Sequence, residues 1–214
     1  MLRALRRPVS EGWAILAPLV AGSALAVRRD WRLGVGGLGL AAGVAAFLRD
    51  PERCVTAGEA ALAPADGRVV EIATRHDPYF GVEMLEISIF LALWNVHVQR
   101  APLAGRVVAV RVEAGPFRPA LMAEAAHNHR QAIYLETDRG PCVVTLMAGI
   151  LARRIVRWVE VGDALRAGDR IGMIKFGSRV SLRLPSDSRP LVRVGQEVRA
   201  GLTPLAARAR GGEC

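Results

Sequence analysis

Two apolar stretches open the chain, at residues 12–27 and 33–48, with Arg28-Arg29-Asp30-Trp31-Arg32 between them. Arg3, Arg6 and Arg7 bound the pair on one side and Arg49 and Arg53 on the other. Each stretch has 16 residues, short of the roughly 20 that a spanning helix needs. If both spanned, one basic cluster would face outward, against the tendency of arginine to stay cytoplasmic. The pattern therefore predicts a hydrophobic helical hairpin immersed in one leaflet, its arginines snorkelling to the surface. Two short tilted spans are the alternative, and a buried soluble helix is the plainer reading of 33–48; its glycines weaken a solitary helix in water but are common in membrane helices. Ala21-Gly22-Ser23-Ala24-Leu25-Ala26 has the small residues of a signal-peptide cleavage site. A second apolar segment so close behind argues against secretion.

From residue 62 onward the period shortens. Strand-like runs at 68–74, 84–92, 106–113, 131–137, 142–147 and 170–174 are punctuated by Gly, Pro and Asp, and only 119–126 reads as helix. This predicts a mainly β body, an antiparallel β barrel or sandwich with a small helical insertion, over residues 54–214, preceded by the helical hairpin in 1–53. An imperfect repeat, Val161-Gly162-Asp163-Ala164-Leu165-Arg166-Ala167-Gly168 against Val194-Gly195-Gln196-Glu197-Val198-Arg199-Ala200-Gly201, predicts two related turns in a pseudo-symmetric arrangement. Biotinyl and lipoyl carrier domains use similar turns.

Composition adds a partner. Hydrophobic residues make up 51% of the chain, mean hydropathy is +0.24 and formal charge is +9, with Lys175 the only lysine. Such an arginine excess favours anionic surfaces. Aromatic content is 5% and no stacking platform or nucleic-acid motif is present, so anionic lipid is the expected partner and nucleic acid is not. Cys54, Cys142 and Cys214 are odd in number and lack CxxC spacing; they read as reduced thiols on the cytoplasmic side, and no metal site is expected.

The candidate chemistry lies at Phe176-Gly177-Ser178. A serine hydroxyl can attack the carbonyl of the preceding residue, turning the amide into an ester, and glycine there removes the obstructing side chain. β-Elimination leaves dehydroalanine, which hydrolyses to a pyruvoyl group. Most Gly-Ser pairs are only turns. His97 is a candidate base: on a strand its side chain would face opposite to Val96 and Val98, and an imidazole suits proton transfer near neutral pH. Asp66 sits in an Asp-Gly turn, the commoner meaning of which is simply a turn. His127 and His129 at i, i+2 suggest a metal, but no carboxylate or cysteine completes the set and a solvated loop is the better reading. His76 reads as a loop histidine.

In context, Pro64-Ala65-Asp66-Gly67-Arg68-Val69, Trp94-Asn95-Val96-His97-Val98-Gln99-Arg100-Ala101-Pro102-Leu103-Ala104-Gly105, Ala148-Gly149-Ile150-Leu151-Ala152-Arg153-Arg154-Ile155-Val156 and the Gly177-Ser178 pair resemble, in that order, the short form of the phosphatidylserine decarboxylase proenzyme family. The resemblance runs from Phe47-Leu48-Arg49-Asp50-Pro51-Glu52-Arg53 to about Leu184. It implies cleavage after Gly177 into chains 1–177 and 178–214, and a covalent pyruvoyl cofactor derived from Ser178. It further implies decarboxylation of phosphatidylserine to phosphatidylethanolamine through a Schiff base. Asp66 matches the aspartate that orients the histidine in an Asp-His-Ser arrangement.

Two departures stand out. Longer relatives carry a second histidine where this chain has Arg100, which leaves open whether His97 serves self-cleavage, decarboxylation or both. His127-Asn128-His129-Arg130 replaces an Asn-Glu-Arg-Asn stretch. Arg100 is a candidate for the substrate phosphate or carboxylate, or an exposed strand arginine. Arg153 and Arg154 are candidates for the anionic headgroup, or a basic surface pair. The expected location is the cytoplasmic face of the cell membrane, with a homo-oligomer compatible with the sequence. The rival readings are a membrane-anchored carrier, which needs a lysine at a hairpin tip, and a membrane serine peptidase, which would have to spare its own Gly-Ser bond. The tail 206–214 is expected to be disordered.

Overall fold

The computed structural model describes residues 8–55, 58–116, 128–149, 154–175 and 178–208, with the side chains of 8–14, Lys175 and Ser178 set aside. The helical insertion expected at 119–126 lies outside these residues.

The first apolar stretch forms helix α1 (Pro8–Arg29) and the second α2 (Trp31–Phe47). Arg28 and Arg29 are absorbed into the last turn of α1, where positive charge complements the helix dipole. Asp30 then caps α2, its carboxylate accepting from the Arg32 amide at 2.9 Å. The helices meet through small residues. Ser23, Gly34 and Ala41 are buried, and a Cβ on Gly34 or Gly37 would collide with Val27 or with Ser23. Large apolar side chains point the other way: Leu25 is 68% and Leu33 69% exposed, and Ile15, Val35 and Leu40 are exposed beside them. This is the reverse of a hairpin built for water. No helix among the described residues is long and apolar enough to cross a membrane.

The body is β, as expected, and antiparallel in every pairing among the described residues. Its strands are β1 (Ala60–Leu62), β2 (Gly67–Asp77), β3 (Val82–Leu91), β4 (Val98–Arg100), β5 (Gly105–Glu113), β6 (Arg130–Thr137) and β7 (Gly140–Met147). Then follow β8 (Arg154–Arg157), β9 (Ala164–Leu165), β10 (Arg170–Lys175), β11 (Ser178–Pro185), β12 (Ser188–Pro190), β13 (Glu197–Val198) and β14 (Pro204–Arg208). The six predicted runs fall on β2, β3, β5, β6, β7 and β10, and β11 is a further long strand. The short strands β1, β4, β8, β9, β12, β13 and β14 are too brief to show a period. An eight-stranded sheet runs β13-β2-β3-β11-β7-β6-β5-β9, flanked by the three-stranded sheets β1-β14-β12 and β4-β10-β8. The main core, with Val69, Ile87, Ile89, Leu91, Ile133, Leu146, Val180 and Leu182, fills one face of the large sheet.

Two corrections follow. His76 lies within β2, its ring 3.5 Å from Glu83 on the facing strand. Residues 206–208 belong to β14, which pairs with β1 and β12, so that part of the expected disordered tail closes a sheet.

The repeated Val-Gly turns are structural counterparts. The Gly162 amide donates to Val107 and the Gly195 amide to Val69, both at 2.8 Å; the Gly168 and Gly201 amides donate to Ala101 and Ala63 at the same length. All four glycines have φ between 69° and 96°, a left-handed conformation that side chains resist. The partners reveal a second repeat, Pro64-Ala65-Asp66-Gly67-Arg68-Val69 against Pro102-Leu103-Ala104-Gly105-Arg106-Val107. Leu62 donates to Pro102 and Arg100 to Pro64 in reciprocal fashion. Within that symmetry Asp66 occupies the place of Ala104. The position is polar on one side only.

The hairpin docks onto the body through its last turn. Phe47 and Leu48 join Val96, Val98, Trp158 and Met173 in a separate apolar cluster, with Leu16 and Val44 against it.

Candidate functional site

Strand register brings the sequence candidates to one end of the large sheet. Ser178 opens β11 opposite Leu91, and the next row is Arg179, Phe90 and Arg68. The Asp66-Gly67 turn therefore enters β2 at the same end at which β11 begins. A Cβ on Gly67 would strike the Phe90 carbonyl, so glycine is required where β2 presses against β3. His97 arrives from the neighbouring sheet, its carbonyl accepting from the Ile174 amide at 3.2 Å. Ile174 belongs to β10, the strand that leads to Gly177-Ser178. Gly177 itself lies outside the described residues.

His97 stands immediately before β4 rather than within a strand. It is fully buried between buried Val96 and Val98, so the expected alternation of faces does not apply: the hairpin covers what would have been the open side. The Phe47 ring packs against the imidazole at a centroid distance of 4.3 Å. Nδ1 lies 2.8 Å from the Asn95 carbonyl. A carbonyl only accepts, so Nδ1 carries the proton and the neutral ring keeps its lone pair on Nε2. Asn95 is fixed in turn, its side chain accepting from the Ala92 amide at 2.8 Å. Gln99 donates to the His97 carbonyl at 2.8 Å.

Burial pushes His97 down from 6.5 to about 4, with the Asn95 carbonyl resisting, Arg49 lowering it further and the Asp66 charge raising it. The imidazole is thus neutral at physiological pH and able to accept a proton. Because the folded value lies below the unfolded one, stability is complete above about pH 6.5 and is lost as pH falls toward about 4. Urea unfolding of Ser178→Ala protein at pH 7 and pH 4.5, with and without His97→Gln, tests this. The histidine form is expected to lose about 2–3 kcal/mol more on acidification. An equal loss in both would refute the assignment.

The Asp66 carboxylate is taken by other partners. Arg53 grips it with two hydrogen bonds, 2.6 and 2.8 Å, and the Ala200 amide donates to it at 2.8 Å. Its effect on His97 is electrostatic, and Asn95 provides the hydrogen bond that the Asp-His-Ser expectation gave to Asp66. Arg53, which the hydrophobic pattern put at a membrane border, is buried, and it also donates to the Ala200 carbonyl at 2.5 Å. An ion pair with a carboxylate already held by a backbone amide outweighs snorkelling here.

Arg100 is likewise buried. Its guanidinium holds Asp50 at 2.8 Å and the Pro51 and Gly168 carbonyls at 3.2 and 3.1 Å, a lock on the linker in place of an open substrate contact. Asp50 also pairs with Arg170. Arg154 is exposed at the start of β8, in register with Lys175. This sets positive charge beside the last residue of β10. Arg153 and His127 lie outside the described residues, and no group of three or more potential metal ligands occurs among the described ones.

Sequence reading missed Phe47, Asp50, Arg53 and Asn95 as parts of the site. The signal available was the Arg-Asp-Pro-Glu-Arg run directly after an apolar helix, an alternation of charge that a membrane border does not need. Of the thiols, Cys142 is buried and pushed up to about 12 by desolvation, whereas Cys54 is exposed. Both are free, as expected. Lys175 ends β10, which belongs to a different sheet from β11, so it is not the tip lysine of a carrier hairpin.

A sequence profile for phosphatidylserine decarboxylase matches residues 40–206. A phosphatidylserine decarboxylase proenzyme of Burkholderia mallei is 43% identical over 206 residues, covering 92% of this chain and 93% of its own. One from Paraburkholderia xenovorans is 42% identical over 201 residues, with 92% and 94% covered. Another, from Paraburkholderia phymatum, is 45% identical over 166 residues, with 76% and 78% covered. With the profile spanning most of the β body and two of these relatives matching nearly end to end, the chain belongs to the phosphatidylserine decarboxylase family.

Proposed function

We propose that this decarboxylase is made as a proenzyme that cuts itself between Gly177 and Ser178, that residue 178 becomes a pyruvoyl group, and that the enzyme works at the cytoplasmic face of the cell membrane. The observation that carries the reading is the convergence, at one sheet end, of the start of β11, a buried neutral His97 and the Asp66-Gly67 turn. The pyruvoyl carbonyl supplies an electron sink for loss of carbon dioxide from an amine-bearing substrate.

The chain's own residues supply the rest. His97, neutral and with its lone pair on Nε2, suits removal of the proton from the Ser178 hydroxyl as that oxygen attacks the Gly177 carbonyl. His97 is fully buried, with Phe47 against its ring, and the apolar cluster that Phe47 joins offers a dry wall of the kind that favours a carboxylate about to lose its charge. Arg154 offers charge for the anionic headgroup. Membrane placement is supported by the hairpin, whose small residues face inward and whose large apolar residues face outward.

Intact mass of the purified protein, before and after borohydride reduction in the presence of phosphatidylserine, tests the proposal. Two chains, the smaller beginning at residue 178 with a blocked terminus and gaining the mass of the reduced lipid, are expected. Folded protein that stays a single chain would overturn it.

A further inference from the structure

The hairpin is not the only apolar surface beside the site. The turn between β3 and β4 carries Leu93 and Trp94, and Trp94 is 76% exposed, more than any other large apolar side chain among the described residues. The turn is tightly built: the Asn95 amide donates to Ala92 at 3.0 Å, and the Ala92 amide donates to the Asn95 side chain at 2.8 Å. Trp94 is therefore presented on a fixed support. Its carbonyl accepts from Arg49, which also donates to the Ala46 carbonyl at the end of α2. The turn is thus physically continuous with the hairpin. Trp94 also lines a groove of about 270 Å³, shared with Arg68, Val70, Phe90, Ala92, Asn95 and Glu197. The next residue along the chain from Trp94 is the one that orients His97.

Resting on the membrane reading of the hairpin, we propose that Leu93 and Trp94 form a second, independent contact with an anionic bilayer, pressing the mouth of the site onto the lipid surface. An exposed tryptophan on a rigid turn has an apolar body and a polar N–H, which suits the headgroup boundary. Exposed Arg28, Arg29, Arg32 and Arg49 supply the charge complement to acidic lipid. Two contacts, one at the hairpin and one at the turn, fix orientation as well as attachment. A hairpin alone would attach the body without fixing its roll about the hairpin against the lipid surface.

The test uses vesicles of phosphatidylcholine and phosphatidylglycerol carrying bromine at defined acyl positions, with full-length protein in which Trp13 and Trp31 are replaced by phenylalanine. Trp94 and buried Trp158 remain. Shallow bromines are expected to quench the fluorescence, and a further Trp94→Phe change is expected to abolish that quenching. Sedimentation with the same vesicles is expected to show Leu93→Ser/Trp94→Ser protein binding at least about tenfold more weakly, the effect of withdrawing ~1.4 kcal/mol of apolar burial. Val161→Ser, at an exposed apolar residue of a repeated turn, is expected to bind normally. Normal binding without quenching of Trp94 would overturn the second contact while sparing the hairpin. Equal weakening by Val161→Ser would also overturn it, and absence of any vesicle binding would overturn the membrane reading too. Neither readout depends on decarboxylation or on cleavage.

Discussion

Ser178→Ala protein is expected to persist as one folded 214-residue chain, with activity on phosphatidylserine at the level of the uncatalysed reaction. Alanine has no hydroxyl to attack the Gly177 carbonyl, so neither the ester nor the blocked terminus can form, and no other residue can replace an electrophile made from the backbone itself. The fold should be unaffected, because Ser178 is the first residue of β11 and its pairing with Leu91 is a backbone matter. His97→Gln separates the roles. If His97 is the base, cleavage slows by roughly 10²–10⁴-fold, visible as persistent proenzyme by mass. Normal cleavage followed by slow turnover would confine His97 to the decarboxylation cycle, and normal rates of both would remove it from the mechanism.

The largest effect on stability is expected at Asp50. Its carboxylate, nearly fully buried, lies between Arg100 at 2.8 Å and Arg170. Asp50→Ala leaves two arginines facing each other with their shared anion gone. Removing one partner of a buried ion pair costs about 3–5 kcal/mol, and this site loses the common member of two pairs. Urea unfolding of Ser178→Ala protein with and without the change measures it. Asp50→Asn, which keeps a carbonyl acceptor, should recover only part of the loss. A loss below about 1 kcal/mol, the scale of an exposed pair, would show that the lock does not hold the linker. The same region reports on function, because residues 49–53 connect the hairpin to His97 and Asp66. A loosened linker should free Phe47 from the imidazole.

Much of the fold could be read from the chain because its signals are local. Residues 12–27 and 33–48 carry no charged side chain, and within a single short segment only α-helix satisfies such a backbone away from water. The long predicted strands alternate at period two between a filled core and a more polar face, as in β3, where Leu85, Ile87, Ile89 and Leu91 line the core and Glu86 and Ser88 alternate with them. The Val-Gly turns repeat because both need left-handed glycine at the same two steps. Seven short strands left no such trace, since two to five residues cannot establish a period and their pairing partners lie far along the chain.

The site divides in the same way. Ser178, His97 and Asp66 could be named from residue type and motif, because self-cleavage needs a hydroxyl after glycine and a base of suitable pKa. What surrounds them could not. That Arg53 closes on Asp66, that Arg100 locks Asp50 and that Phe47 covers His97 depend on contacts across 13 to 50 residues of sequence, which no local pattern encodes. By itself the sequence determined the helical hairpin, the antiparallel body and the candidate reacting residues, all consequences of hydrophobic period and side-chain chemistry. Only the tertiary structure decided which charges are buried, which carbonyl orients the histidine and which tryptophan stands exposed on the turn beside it. Those depend on which surfaces meet when the chain closes on itself.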